Sequence, residues 1–186
     1  MINLETERLV VRNFRPEDWQ DLHEYLSIEE VLRFEPGSVS SPEECKEMAA
    51  ERSGGDIFLA AVLKDTGKMI GHIYFNQTGP QEFRTWELGY IFNPVYYGHG
   101  YATEASRRVM QHAFEELGAH RIIAMCNPDN ASSWKLLERL GMRREGHLLQ
   151  EAFFRSTDDG RPIWHDAYQY AILADEWATV KVGGNL

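Results

Sequence analysis

Tyr97-Gly98-His99-Gly100-Tyr101-Ala102-Thr103-Glu104-Ala105 joins an apolar run, Trp86 to Phe92, to an amphipathic helical pattern that begins near Ala102. Two glycines one residue apart allow backbone angles that a Cβ forbids. The helix behind them starts with N–H groups that have no intrahelical acceptor, at the positive end of its dipole. Such a turn suits an anion, so a phosphate-bearing ligand is the first expectation, although a plain strand-to-helix turn would show the same two glycines. Two common phosphate loops are excluded by residue type. No Gly-Lys-Ser/Thr occurs in the chain, and Thr103 stands where the dinucleotide fingerprint needs its third glycine.

Working outward, Ala102, Ala105, Val109, Ala113, Phe114 and Leu117 lie at helical spacing, and Gly118 ends the run. Arg121 to Cys126 then reads as a strand. A helical crossover makes it the parallel neighbour of Trp86–Phe92, which puts the turn at the carboxyl end of a strand, where open α/β sheets bind ligands. Toward the N-terminus, Leu9 to Phe14 is a strand. Pro16 opens a helix with Trp19, Leu22, Tyr25 and Leu26 on one face, and Ser41-Pro42-Glu43-Glu44 is a capping box for a helix running to about Arg52. Arg33 to Ser40, with Pro36-Gly37, reads as a loop, and Ile57–Leu63 and Met69–Phe75 as a hairpin. Toward the C-terminus, Arg143–Phe154 and Trp164–Leu173 are strands, and the residues after Trp177 read as a tail.

The 186 residues, 43% hydrophobic and 26% charged, fit one globular α/β domain. A formal charge of −10 without a basic stripe speaks against nucleic acid and favours a cationic substrate. No long apolar span or basic-then-apolar leader is seen, so a soluble cytoplasmic protein without membrane contact is expected. The two cysteines, Cys45 and Cys126, suit a reducing compartment. Cys126 reads as a small buried hydrophobe rather than a nucleophile. The seven histidines lack metal-ligand spacing, so no metal is expected. His165 and Asp166 are sequence neighbours whose side chains point to opposite strand faces, which argues against a catalytic pair.

Beyond the strand Arg121–Cys126 come Asn127-Pro128-Asp129-Asn130-Ala131-Ser132-Ser133 and a short helix ending at Leu140-Gly141-Met142. This succession resembles the GCN5-related N-acetyltransferases, and within them the branch of ribosomal-protein N-terminal acetyltransferases. Tyr97 to Ala105 matches that branch's Trp-Gly-Lys-Gly-Tyr-Ala-Thr-Glu-Ala, and Asn130 to Met142 its Asn-x-x-Ser-x-x-x-Leu-x-x-x-Gly-Phe. Leu4 to Arg12, Glu145-Gly146 and Trp164-His165-Asp166 match as well, so the resemblance spans nearly the whole chain.

The resemblance implies a single domain over residues 1–177 with a tail at 178–186, and a mixed sheet of about six to seven strands flanked by about four helices. It also implies acetyl-CoA as co-substrate and transfer to a primary amine. On this basis the main chain of Tyr97, Gly98, His99, Gly100, Tyr101, Ala102 and Thr103 takes the pyrophosphate. The main chain of Tyr90, Ile91 and Phe92 pairs with the pantetheine arm, and an N–H there faces the thioester oxygen. Asn130 and Ser133 lie beside the pantetheine and thiol, with Ser133 a candidate proton donor to sulfur; Asn130 is alternatively no more than a helix N-cap. Glu87, on the strand leading into the site, is either the base for the amine, directly or through water, or an exposed strand carboxylate or ion-pair partner. The chain departs from the wider superfamily at Tyr97, where Gln or Arg is usual, and in a longer, more charged Glu151–Pro162.

At pH 7 an α-amine with pKa near ~8 is about one-tenth neutral, whereas a lysine near ~10.4 is neutral in about one part in a few thousand. With one carboxylate in view, the acceptor is expected to be a protein N-terminal α-amine or a small-molecule amine, antibiotics included. A coenzyme A-binding sensor without chemistry is the alternative of another class, and the assembly is expected to be a monomer or homodimer.

Overall fold

A computed structural model describes residues 1–183. The strands are β1 (Asn3–Glu5), β2 (Leu9–Asn13), β3 (Phe58–Leu63), β4 (Met69–Thr78), β5 (Thr85–Phe92), β6 (Arg121–Cys126), β7 (Arg143–Ser156) and β8 (Pro162–Leu173). The helices are α1 (Trp19–Leu26), α2 (Pro42–Ser53), α3 (Tyr101–Glu115), α4 (Ala131–Arg139) and α5 (Ala174–Gly183). One sheet carries the strands in the order β1-β2-β3-β4-β5-β6-β8-β7. Contacts divide the chain into two compact units: Met1–Phe75 with Gly89–Val109, and Asn76–Leu88 with Met110–Leu186.

In the first unit, apolar alternation sets the strand faces. Leu9 and Val11 are fully buried, and β2 pairs antiparallel with β1 (Leu4 opposite Val11) and with β3 (Leu9 opposite Leu63). β3 and β4 form the expected hairpin. The faces of α1 and α2 bury Leu22, Tyr25, Leu26, Cys45 and Ala49 against Ala60, Val62 and Met69, and Ile91 of β5 packs on the same cluster. Ser41 caps α2 as its sequence predicts: its side chain accepts from the Glu44 amide, and Glu44 accepts from the Ser41 amide. The Lys68 ammonium bridges Asp21 and Glu24 of α1 at 2.9 and 2.7 Å. Glu24 also accepts from the side chain of buried Asn93, whose amide donates to Ile70 at 2.9 Å. The end of β5 is thereby fixed to α1 and β4. A Cβ on Gly71 would lie 2.6 Å from the Phe92 ring and 2.7 Å from the Ile91 carbonyl, so this close approach requires glycine.

In the second unit, β5 and β6 pair in parallel, Thr85 opposite Arg121 and Glu87 opposite Ile123, as the crossover predicts. β6 and β7 each pair antiparallel with β8, Cys126 and His147 both lying opposite Tyr168. The tail expected from residue 178 is corrected in part: α5 runs on to Gly183. Trp177, 5% exposed, stacks on Phe114 at 5.6 Å, and the Ala174 amide donates to His120. Residues 184–186 of that tail lie outside the described residues. With β1, too short to show alternation, and α5, the described elements number eight strands and five helices against the expected six to seven and four. Among the described residues no helix is long and apolar enough to cross a membrane.

Candidate active site

Gly98 and Gly100 have φ of +81° and +79°, as the glycine spacing predicts, and a 3-10 turn over Pro94–Tyr96 leads into them. The Tyr97 amide donates to the Pro94 carbonyl at 3.1 Å, so this amide is removed from the expected set of free donors. From Gly98 to Thr103 the case differs. Among the described residues none of these six amides has an acceptor, and the Glu104 amide, bonded to the Gly100 carbonyl, is the first that does. Successive main-chain donors at a helix start suit an anion. The exposed His99 ring lies 5.7 Å from that of Tyr101.

The turn is braced by residues that sequence reasoning did not assign to the site. Glu104 accepts from the Thr6 hydroxyl at 2.6 Å, the Arg8 amide at 3.0 Å and Arg8 Nε at 2.7 Å. Arg8 also donates to the His99 carbonyl at 3.0 Å and lies 4.4 Å from the centre of the Tyr101 ring. Partial burial works against the charge on Glu104, but the bonds from Thr6 and Arg8 hold its carboxyl below the usual range. Arg8 is thus engaged by a carboxylate. Arg8 and Glu104 stand in two stretches that carried the resemblance; no spacing rule tells that they meet.

Tyr90, Ile91 and Phe92 end β5 in this same unit, Ile91 packing on the core and Phe92 buried. The loop between α1 and α2 is a succession of turns closed by the Ser40 amide on the Leu26 carbonyl. It holds Glu35, whose carboxyl burial pushes up to about 7. The Tyr97 phenol is pushed up as well, by burial and then by Glu35.

The second unit holds the remaining candidates. Burial raises the Glu87 carboxyl above its ordinary range, and among the described residues it has no hydrogen-bonding or ionic partner. Asn130 is the N-cap of α4: its side-chain oxygen accepts from the Ser133 amide at 3.2 Å and the Ser132 hydroxyl at 2.9 Å. The Ser133 hydroxyl reaches Cys126, whose thiol burial pushes up to about 11 against the opposing effects of Ser133 and Arg144. Such a thiol stays protonated at neutral pH, which agrees with the buried-hydrophobe reading. His165 and Asp166 do part company as expected. Asp166 instead bonds His147 at 2.8 Å and accepts from the Gln150 amide, while His165 meets Asn127 at 3.4 Å. Among the described residues no group of three or more metal-ligating side chains occurs.

The family profile described as "Acetyltransferase (GNAT) domain" matches residues 8–143. The uncharacterized N-acetyltransferase YnaD of Bacillus subtilis is 36% identical over 177 residues, covering 95% of this chain and 99% of its own. The [ribosomal protein uS5]-alanine N-acetyltransferase of Escherichia coli is 26% identical over 188 residues, covering 95% and 93%. The crystal structure of a GNAT-family acetyltransferase from Bacillus anthracis superposes with a TM-score of 0.86 at 33% identity, covering 94% and 99%. With the glycine turn, the parallel β5–β6 pair and the capped α4 already in place, these matches settle the assignment: the chain belongs to the GNAT family and is an acetyl-CoA-dependent N-acetyltransferase.

Proposed function

We propose that the acceptor is the α-amine of a protein N-terminus, and that the Gly98–Thr103 main chain holds the donor's pyrophosphate. The observation that carries the reading is the row of six amides without acceptors, which makes the turn a diphosphate cradle whose donors are fixed by Arg8 and Glu104. Acetyl-CoA supplies an acetyl group activated as a thioester. Tyr90 to Phe92 offer strand main chain for the amides of its pantetheine arm, and one N–H aimed at developing negative charge is worth roughly 3 kcal/mol. Glu87, unpartnered and raised by burial, is the candidate acceptor of the amine's proton. The Ser133 hydroxyl, which reaches the Cys126 thiol, is the candidate donor to the leaving sulfur.

The E. coli relative is named for acetylating the alanine of a ribosomal protein, which favours an α-amine. Free Cys45 and Cys126 agree with work in the cytoplasm. The test is release of free thiol from acetyl-CoA in the presence of peptides with open or blocked N-termini, polyamines and aminoglycosides, with mass spectrometry of the product. Acetyl on the α-nitrogen of open peptides is expected. Acetylation confined to lysines or small amines overturns the α-amine assignment.

A further inference from the structure

Arg52, near the end of α2, carries a charge that the mechanism above does not use. Its guanidinium lies 4.0 Å from the centre of the Phe58 ring and 5.4 Å from that of Phe14, in an aromatic slot. The side chain is partly buried and its Nη1 is closed off from solvent. Among the described residues it has neither a hydrogen-bond acceptor nor an ion-pair partner. Other cations of the same unit are satisfied: Arg12 meets Asp18 in two bonds of 2.8 Å, and Lys68 bridges Asp21 and Glu24. From Arg52 a row of residues crosses the sheet. Phe58 lies opposite Tyr74, their rings 5.4 Å apart, and a Cβ on Gly89 would stand 3.4 Å from that of Tyr74. Gly89 directly precedes the Tyr90–Phe92 main chain, and Phe58 and Ile91 pack on the same core cluster.

We infer that the Arg52 guanidinium receives the side-chain carboxylate of an acidic residue in the acceptor peptide, a few positions after the acetylated amine. The inference rests on the acetyltransfer reading above and names a specificity residue for it. A guanidinium that has lost water and gained no acceptor is costly to hold, and a carboxylate restores both charge balance and hydrogen bonds. The two rings fix the guanidinium plane by their faces, which leaves its donor edge preorganised for a planar anion. Reach sets the position of the acidic residue. Phe58 and Gly89 stand two strand spacings apart, roughly 10 Å, the span of about three extended residues. The α-carboxylate of a free amino acid is too close to its own amine for this, whereas the side chain of the third or fourth residue of a peptide fits. A chain with a formal charge of −10 repels acidic peptides in general, so one unpaired cation decides where such a peptide is admitted.

The experiment is steady-state kinetics of the full chain with two alanine-initiated peptides, identical except for Glu or Gln at the third and fourth residues. Wild type is expected to show an acceptor KM about 10-fold lower for the Glu peptide, the scale of one charge-assisted hydrogen bond. Arg52→Gln should lose this preference, with the acetyl-CoA KM as in wild type. Arg52→Met, which keeps apolar contact with the two rings, should lose it too and decides the matter if Arg52→Gln does not fold. Moving the Glu pair to the eighth and ninth residues should abolish the preference in wild type, since the reach is then exceeded. Equal KM values for the two peptides in wild type, or a preference that survives in the variants or at the distant positions, would overturn the assignment. A rise in KM of the same size for both peptides would overturn it as well, and would make Arg52 a packing residue. Acetylation confined to small amines, or of no amine at all, would instead overturn the function reading, and this inference with it.

Discussion

Two carboxylates of one unit are treated in opposite ways, Glu104 at the start of α3 and Glu35 in the loop after α1. Glu104 is surrounded by donors from Thr6 and Arg8, and its carboxyl is held low. Glu35 has lost water without gaining a donor, and its carboxyl is raised to about 7. The difference is between a carboxylate that the fold has satisfied and one that it has not. A satisfied carboxylate stabilises the fold and holds a turn in shape, whereas a bare one costs stability until something charged arrives. Glu87 in the other unit resembles Glu35 in this respect, raised by burial and unpartnered.

The contrast can be broken or sharpened by substitution. The largest effect is expected at the turn that Glu104 supports. Gly100→Trp should weaken coenzyme A binding about 1,000-fold by covering amides worth about 2 kcal/mol each toward a charged ligand. A Cβ at Gly100 first meets the flexible Arg8 guanidinium at 3.7 Å, so there is room for a side chain, but φ of +79° strains any residue other than glycine, so Tm is measured beside the affinity. Calorimetric titration with coenzyme A reads the affinity, and an unchanged value removes the phosphate role from this turn. Next comes Glu87→Gln, expected to lower kcat about 100-fold while sparing acetyl-CoA affinity. Its pH–rate profile should lose the limb above the ordinary glutamate range, in keeping with the raised carboxyl. A mutant profile that keeps this limb would take the base away from Glu87.

Glu104→Ala should behave as a scaffold mutation. A loss of about 2 kcal/mol is expected, seen as a fall in Tm of about 4–8 °C, together with weaker coenzyme A binding as the turn relaxes. The folded carboxyl lies below its unfolded value, so its contribution is present above about pH 4.3 and disappears as pH falls through the depressed folded pKa. The wild-type and Glu104→Ala stability curves should therefore converge in acid; a constant gap would show that charge is not what Glu104 contributes. The smallest effect is expected for Thr6→Val, about 1 kcal/mol in chemical denaturation, since Arg8 still engages Glu104. A loss as large as that of Glu104→Ala would make Thr6 the main support of the turn.

Much of the fold was legible because it is written in short-range patterns. The stretch Leu9 to Phe14 read as a strand, the capping box marked the start of α2, and helical spacing marked α3. The parallel β5–β6 pair followed from the crossover. The boundary missed was the C-terminal one. The residues after Trp177 read as a tail, whereas Trp177 stacks on Phe114 within a helix running to Gly183. Its run had no cap signal strong enough to announce that contact. At the site, the left-handed angles of Gly98 and Gly100 were foreseen, and the loss of the Tyr97 amide to a 3-10 turn was not.

By itself the sequence determined the glycine turn, its place between a strand and a helix, and the family, because these depend on residue types a few positions apart. The tertiary structure alone decided which acidic groups are satisfied. Thr6 and Arg8 reach Glu104 across more than ninety residues, His147 takes Asp166 from its sequence neighbour His165, and Glu35 is left partly buried without a donor. A carboxylate's pKa depends on the water it has lost and the donors it has gained, and only the folded chain sets both.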